Sequence, residues 1–221
     1  LATVVATDLL FATGTKLASS AMHSKNKLVD WQISKRLWLG SIPATLAVLA
    51  LAYFGVAFAN PEWLMRVLGA LILVSALSLV FGNHIQRLQS DHRLETPEKF
   101  KRMQAPATTF AGAVLGTLVT LTSIGAGALG AVILRALYPL RMKPQPLVAT
   151  DTTHAIPVSL LAGLGYLSLG YVEVELLLML LLGSLPAALI TSNMLHKLPA
   201  HWVKNTLAVV LGIAGIKLLM G

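Results

Sequence analysis

Three charged residues stand in stretches otherwise almost free of charge, and they are the ones whose types and spacing could do chemistry. Asp8 and Asp151 each close the same string, Val5-Ala6-Thr7-Asp8 and Val148-Ala149-Thr150-Asp151, and Lys16 stands eight residues from Asp8, its nearest charged neighbour. In an apolar segment a lysine costs about 3 kcal/mol or more unless it is paired or its amine reaches the surface. Lys16 therefore either snorkels toward His23, or faces the interior, where it neutralises Asp151 or meets an anionic substrate. The aspartates read in two ways as well. Thr-Asp at the start of a helix can simply cap it, whereas an acid one or two turns below a surface faces a partner or a wet pathway. His154 follows Asp151 by one helical turn and shares its face. Either it is a hydrogen-bonded packing residue, or with Asp8 and Asp151 it lines a pathway or carries a coupling proton. It has no second ligand at metal spacing, so no metal site is expected. The last candidate is Thr120-Leu-Thr-Ser-Ile-Gly-Ala-Gly127, small, hydroxylated and glycine-rich. A helix starting near Gly125 would aim unpaired amides at whatever lies there, which is an anion site in principle. The same glycines could serve only to let helices pack closely. On the anion reading Lys16, Thr122, Ser123, Gly125, Gly127, Thr7 and Thr150 hold the substrate.

These residues are positioned by a duplication. Sliding the chain by 143 superposes the two V-A-T-D strings, Gly40-Ser-Ile-Pro-Ala44 on Gly183-Ser-Leu-Pro-Ala187, and Asp30 on Glu173. From 5 to 46 that register gives 14 identities in 42 positions without a gap, too many for leucine- and alanine-rich coincidence. The chain is two copies of one unit, and function is expected where they meet.

Composition says which medium the copies occupy. Of 221 residues, 56% are hydrophobic and 12% charged, half the charge of a soluble domain, with the charges gathered between long apolar runs. The chain reads as an all-α polytopic membrane protein. Its net charge of +8 is then loop charge, not a nucleic-acid footprint. There is no Cys for a disulfide or thiolate site, and no G-x-S-x-G, H-E-x-x-H or phosphate loop, so neither an enzyme nor a bound cofactor is expected. Spanning segments are expected at about Leu1–Met22, Leu37–Phe58, Pro61–Phe81, Leu147–Leu167, Leu176–Leu195 and Trp202–Met220, with Pro43, Pro157 and Pro186 inside them. An N-terminal repeat (1–81), a cytoplasmic linker loop (82–106) and a C-terminal repeat (107–221) follow.

Loop charge sets orientation. The loop from His23 to Arg36 holds four Lys or Arg, while its repeat partner from Tyr166 to Met179 holds none and carries Glu173 and Glu175. By the positive-inside rule the first is cytoplasmic and the second external, so the repeats are inverted, with three helices each. The stretch from Ala107 to Leu140 is flanked by basic residues at both ends. It either enters and returns, turning at Thr120–Gly127, or crosses as one long tilted helix, which would make the repeats parallel. Nothing upstream of Val5 matches it. Either about 35 to 40 residues precede Leu1, including a first hairpin, or the first repeat is naturally shorter.

The paired V-A-T-D strings, Asp151-Thr-Thr-His-Ala-Ile-Pro157, Thr122-Ser-Ile-Gly-Ala-Gly-Ala-Leu129 and the repeated G-S-x-P-A resemble the sulfite exporter family TauE/SafE along nearly the whole chain. The resemblance implies a multi-pass bacterial inner-membrane transporter exporting sulfite or a small organosulfonate such as sulfoacetate. It also implies a glycine-rich apolar segment ahead of the first V-A-T-D string. An importer, or a carrier of another small anion or a metal cation, is the alternative on the same fold. Expected partners are the anion, membrane lipid and a possible second copy, with no nucleic acid.

Overall fold

The computed structural model describes residues 2–25, 28–56, 62–74, 76–77, 97–124, 127–138, 141–142, 144–194 and 200–220. They form helices α1 (Ala2–Lys25), α2 (Trp31–Tyr53), α3 (residues 62–74 and 76–77), α4 (Pro97–Thr122), α5 (Ala128–Leu137), α6 (Pro144–Ser168), α7 (Val174–Met194) and α8 (Ala200–Met220). No described residue lies in a strand. Three helical stretches, Trp31–Tyr53, Met103–Thr122 and Gln145–Ser168, are long and apolar enough to cross a membrane; Val174–Ser184 and Ala208–Met220 are shorter apolar helices. Large apolar side chains stand exposed along these helices, among them Leu39, Phe110, Leu182 and Ile213, as a protein surrounded by hydrocarbon requires.

Two helix starts lie furthest from the sequence expectation, and α2 also ends at Tyr53, short of Phe58. α2 begins at Trp31, not Leu37, because the Asp30 carboxylate accepts the amide of Ile33 at 3.3 Å and caps the helix ahead of Lys35 and Arg36. α4 begins at Pro97, ten residues inside the expected linker: Pro97 takes the first helical position, where its missing N–H costs nothing. Residues 82–96, the rest of that linker, lie outside the described residues. The prolines fall as expected, with Pro43, Pro157 and Pro186 inside α2, α6 and α7.

The helix ends keep the repeat register. α1 and α6 end at Lys25 and Ser168, and α2 and α7 begin at Trp31 and Val174, 143 positions apart in both cases. The contacts reveal directions. Along α1 and α6, Leu10 packs on Gly163, Thr13 Oγ1 donates to Ser159 Oγ at 2.9 Å, and Lys16 lies beside Asp151, so the partner's number falls as α1 proceeds. These matched helices run antiparallel. α3 and α8 do the same at closer range, with Leu219 over Gly69, Leu73 over Gly215, and each glycine facing the other's carbonyl. Two hydrogen bonds then link the copies crosswise: the Asp30 amide donates to Thr150 Oγ1 at 3.0 Å, and the Glu173 amide donates to Thr7 Oγ1 at 3.1 Å. Each is the other's image under the 143-residue shift.

α4 runs parallel to α2 and very close to it. Gly112 abuts the Leu37 carbonyl, Gly116 abuts Ser41, and Gly40 abuts the Thr109 carbonyl; one turn further, Thr120 Oγ1 bonds Thr45 Oγ1 at 3.1 Å. Small residues every four positions permit this contact, where association depends on packing and not on water. The chain then turns and α5 returns along α4. Gln104 Nε2 donates to the Leu137 carbonyl at 2.7 Å and Thr108 Oγ1 meets the Tyr138 hydroxyl at 2.7 Å, so both ends of the hairpin lie on one side.

Candidate functional site

The break between α4 and α5 is built by its own residues. Thr122 ends α4 with its hydroxyl accepting the Ile124 amide at 3.1 Å, and Ser123 turns the chain at φ +59, its amide still bonded to the Val119 carbonyl at 2.7 Å. Gly127 restarts it at φ +119, ψ −89, a conformation that no L side chain adopts without strain. α5 therefore starts at Ala128, three residues beyond the expected Gly125, which lies outside the described residues.

The two repeat-related aspartates hold the two sides of this break. Ser123 Oγ donates to Asp8 Oδ2 at 2.6 Å, fixing the end of α4 to α1. Asp151, 5% exposed, comes from α6 to the other side, against the backbone amide of Gly127 and so close to Gly130 that a methyl there would collide with its Oδ1. Lys16 lies on α1 within electrostatic range of both carboxylates. His154, fully buried, sets Nε2 at 3.1 Å from Ser41 Oγ on α2, and its carbonyl accepts Trp38 Nε1 at 3.0 Å. Its Nδ1 and Asp151 Oδ1 have no hydrogen-bond partner among the described residues. An ammonium between two carboxylates, an imidazole and the start of a helix is an arrangement that can trade an internal ion pair for an external ion.

On the side where α2 and α6 begin, Arg141 Nε pairs with Asp30 Oδ2 at 2.6 Å and Arg36 reaches the Tyr138 hydroxyl at 3.2 Å. On the opposite side Tyr166 OH donates to the Thr120 carbonyl at 3.0 Å.

With that geometry in hand, the chain was compared with known proteins. The profile of the family described as "Sulfite exporter TauE/SafE" matches residues 1–218. The chain belongs to this family. It is also 33% identical over 218 residues to "Probable membrane transporter protein YjnA" of Bacillus subtilis (strain 168), covering 97% of this chain and 84% of that protein. No solved structure was found to match. TauE/SafE membership makes this chain a membrane transporter, as the resemblance of its motifs implied.

In this TauE/SafE chain Asp8, Lys16, Thr122, Ser123, Gly127, Asp151 and His154 gather round one break. Thr7 and Thr150 stand at its margins, each hydroxyl accepting an amide of the opposite repeat. The sequence reading missed Gly130, Ser41, Trp38 and the Arg141–Asp30 pair. Ser41 carried a signal, since it lies in the repeated G-S-x-P-A. Its counterpart Ser184 leaves Oγ buried without a hydrogen-bond partner among the described residues, and position 11, the counterpart of His154, is a phenylalanine that offers no hydrogen bond.

Proposed function

We propose that this transporter exports sulfite or a small organosulfonate across the bacterial inner membrane, binding the anion near the midplane between two inverted repeats. The observation that carries the reading is the meeting of Lys16 with two repeat-related aspartates at a broken helix, contributed by matched helices that run antiparallel. Inversion is further supported by the crosswise amide-to-threonine bonds and by the loop charges, which make the Lys25 end of α1 cytoplasmic and the Ser168 end of α6 external. On this reading α4 and α5 form a re-entrant hairpin with both ends cytoplasmic.

Lys16 supplies positive charge to the oxyanion, and the hydroxyls of Thr122 and Ser123 with the Gly127 amide complete its shell. Asp8, Asp151 and His154 line the pathway. For a divalent anion crossing alone, an interior-negative potential of about 100 mV favours departure by roughly 2 × 2.3 kcal/mol.

The test is sulfite efflux from liposomes containing the purified chain, with competing sulfonates, inorganic anions and divalent cations. Sulfite and sulfonates should compete with one another and metal cations should not. Loss of a charge-assisted contact worth about 1.5 to 3 kcal/mol should slow Lys16→Ala by about tenfold or more. Normal efflux through Lys16→Ala would remove the lysine from the mechanism.

A further inference from the structure

The start of α5 is where an incoming oxyanion would be held, and an internal anion is already there. Unpaired amides and the helix dipole favour negative charge at that end, and Gly127 offers no capping side chain of its own. Asp151 supplies the charge from the neighbouring helix. Its carboxylate lies against the Gly127 amide, Gly130 is bare of a side chain where Oδ1 sits, and Oδ1 is buried with no hydrogen-bond partner among the described residues. A carboxylate oxygen aimed at a helix terminus with its lone pairs unspent marks a seat built for an oxyanion and only partly filled.

The charges facing Asp151 are few. α1 presents Lys16 and, beyond it, Asp8; α6 presents His154 one turn on; past Thr150, the start of α2 presents Asp30 in its pair with Arg141. One ammonium thus serves two carboxylates, and Asp8 is engaged by Ser123. A substrate anion entering this seat would place two negative groups on one helix terminus and one lysine. Like charges at that separation do not both persist; one takes up a proton.

We infer that Asp151 is a tethered occupant of the anion seat, displaced by a substrate oxyanion only as it takes up a proton, so that one proton crosses with each anion. On the binding side a proton from water forms the carboxylic O–H while the anion takes over Lys16 and the α5 amides. On the release side the anion departs, the proton returns to water and the carboxylate resumes its seat. No bond in the substrate changes. A monovalent sulfonate then crosses without net charge, and a divalent anion carries one negative charge.

This inference rests on the proposed substrate class, and the experiment separates the two. The full chain is placed in liposomes loaded with methanesulfonate or sulfoacetate and a pH-sensitive dye; neither anion exchanges a proton with water near pH 7, so proton movement belongs to the protein. The lumen should turn alkaline by one proton per anion released. Clamping the potential with valinomycin and potassium should leave methanesulfonate efflux unchanged and alter sulfoacetate efflux. In Asp151→Asn, the protons moved per sulfonate released should fall at least tenfold. Anion efflux without protons from the unmodified chain overturns the inference and leaves the substrate reading standing, whether or not Asp151→Asn folds. Unchanged proton movement in a folded Asp151→Asn does the same. Failure of both sulfonates and of sulfite to move overturns both.

Discussion

At the scale of single residues, the site depends on which polar groups found partners. Among the described residues, His154 has one ring nitrogen on Ser41 and the other without a hydrogen-bond partner, whereas the repeat-related Ser184 has none. Ser41→Ala should therefore lower stability by about 1 to 3 kcal/mol, the cost of stranding a buried polar group, and Ser184→Ala should change it little. Thermal unfolding of the two variants in detergent checks the contrast; equal losses would mean that Ser41 matters only for packing. Gly130→Ala sets a methyl against Asp151 Oδ1 and should cost about 1 to 3 kcal/mol. The same unfolding measurement should show that loss largely relieved when Asp151→Ala is added, since the collision is then gone. The charged members of this site were legible in the sequence because an acid or lysine within an apolar run demands a reason. Gly130 was not, because nothing local marks the one glycine among many that admits a side chain from a helix about twenty residues later in the chain.

Helices set the second scale, and here the hydrophobic runs gave existence and type but not ends. Asp30 started α2 six residues early by capping it, and Pro97 drew α4 into a stretch that charge alone marked as loop. The turn between α4 and α5 was legible from its glycines and hydroxyls, yet α5 starts at Ala128, after Gly127 at φ +119. The intimacy of α2 and α4 was not foreseen as a pair. Gly112, Gly116 and Thr120 recur every four residues, but nothing in the sequence names the partner, which is a fact of tertiary structure. Replacing Gly116 by Ala should force the helices apart and cost about 1 to 3 kcal/mol in unfolding measurements, while Gly183→Ala on α7, whose added methyl would meet open space, should be neutral. Similar losses at both positions would contradict the packing described for α2 and α4.

For the molecule as a whole, the duplication was the most informative feature of the sequence, and the structure repeats its register in helix ends, in antiparallel matched helices and in the two crosswise hydrogen bonds. Chemistry then diverged between the copies. Lys16 has Ser159 as its counterpart and His154 has Phe11, so the charge does not follow the repeated sequence. The account stands or falls on the copies facing opposite ways across the bilayer. The chain has no cysteine, so single ones can be placed at the last residues of α1 and α6 as Lys25→Cys and Ser168→Cys and treated, in intact cells, with a maleimide that cannot cross the membrane. Ser168→Cys should label at once and Lys25→Cys only after permeabilisation; labelling of both from the same side would contradict the inverted arrangement and the anion site built upon it.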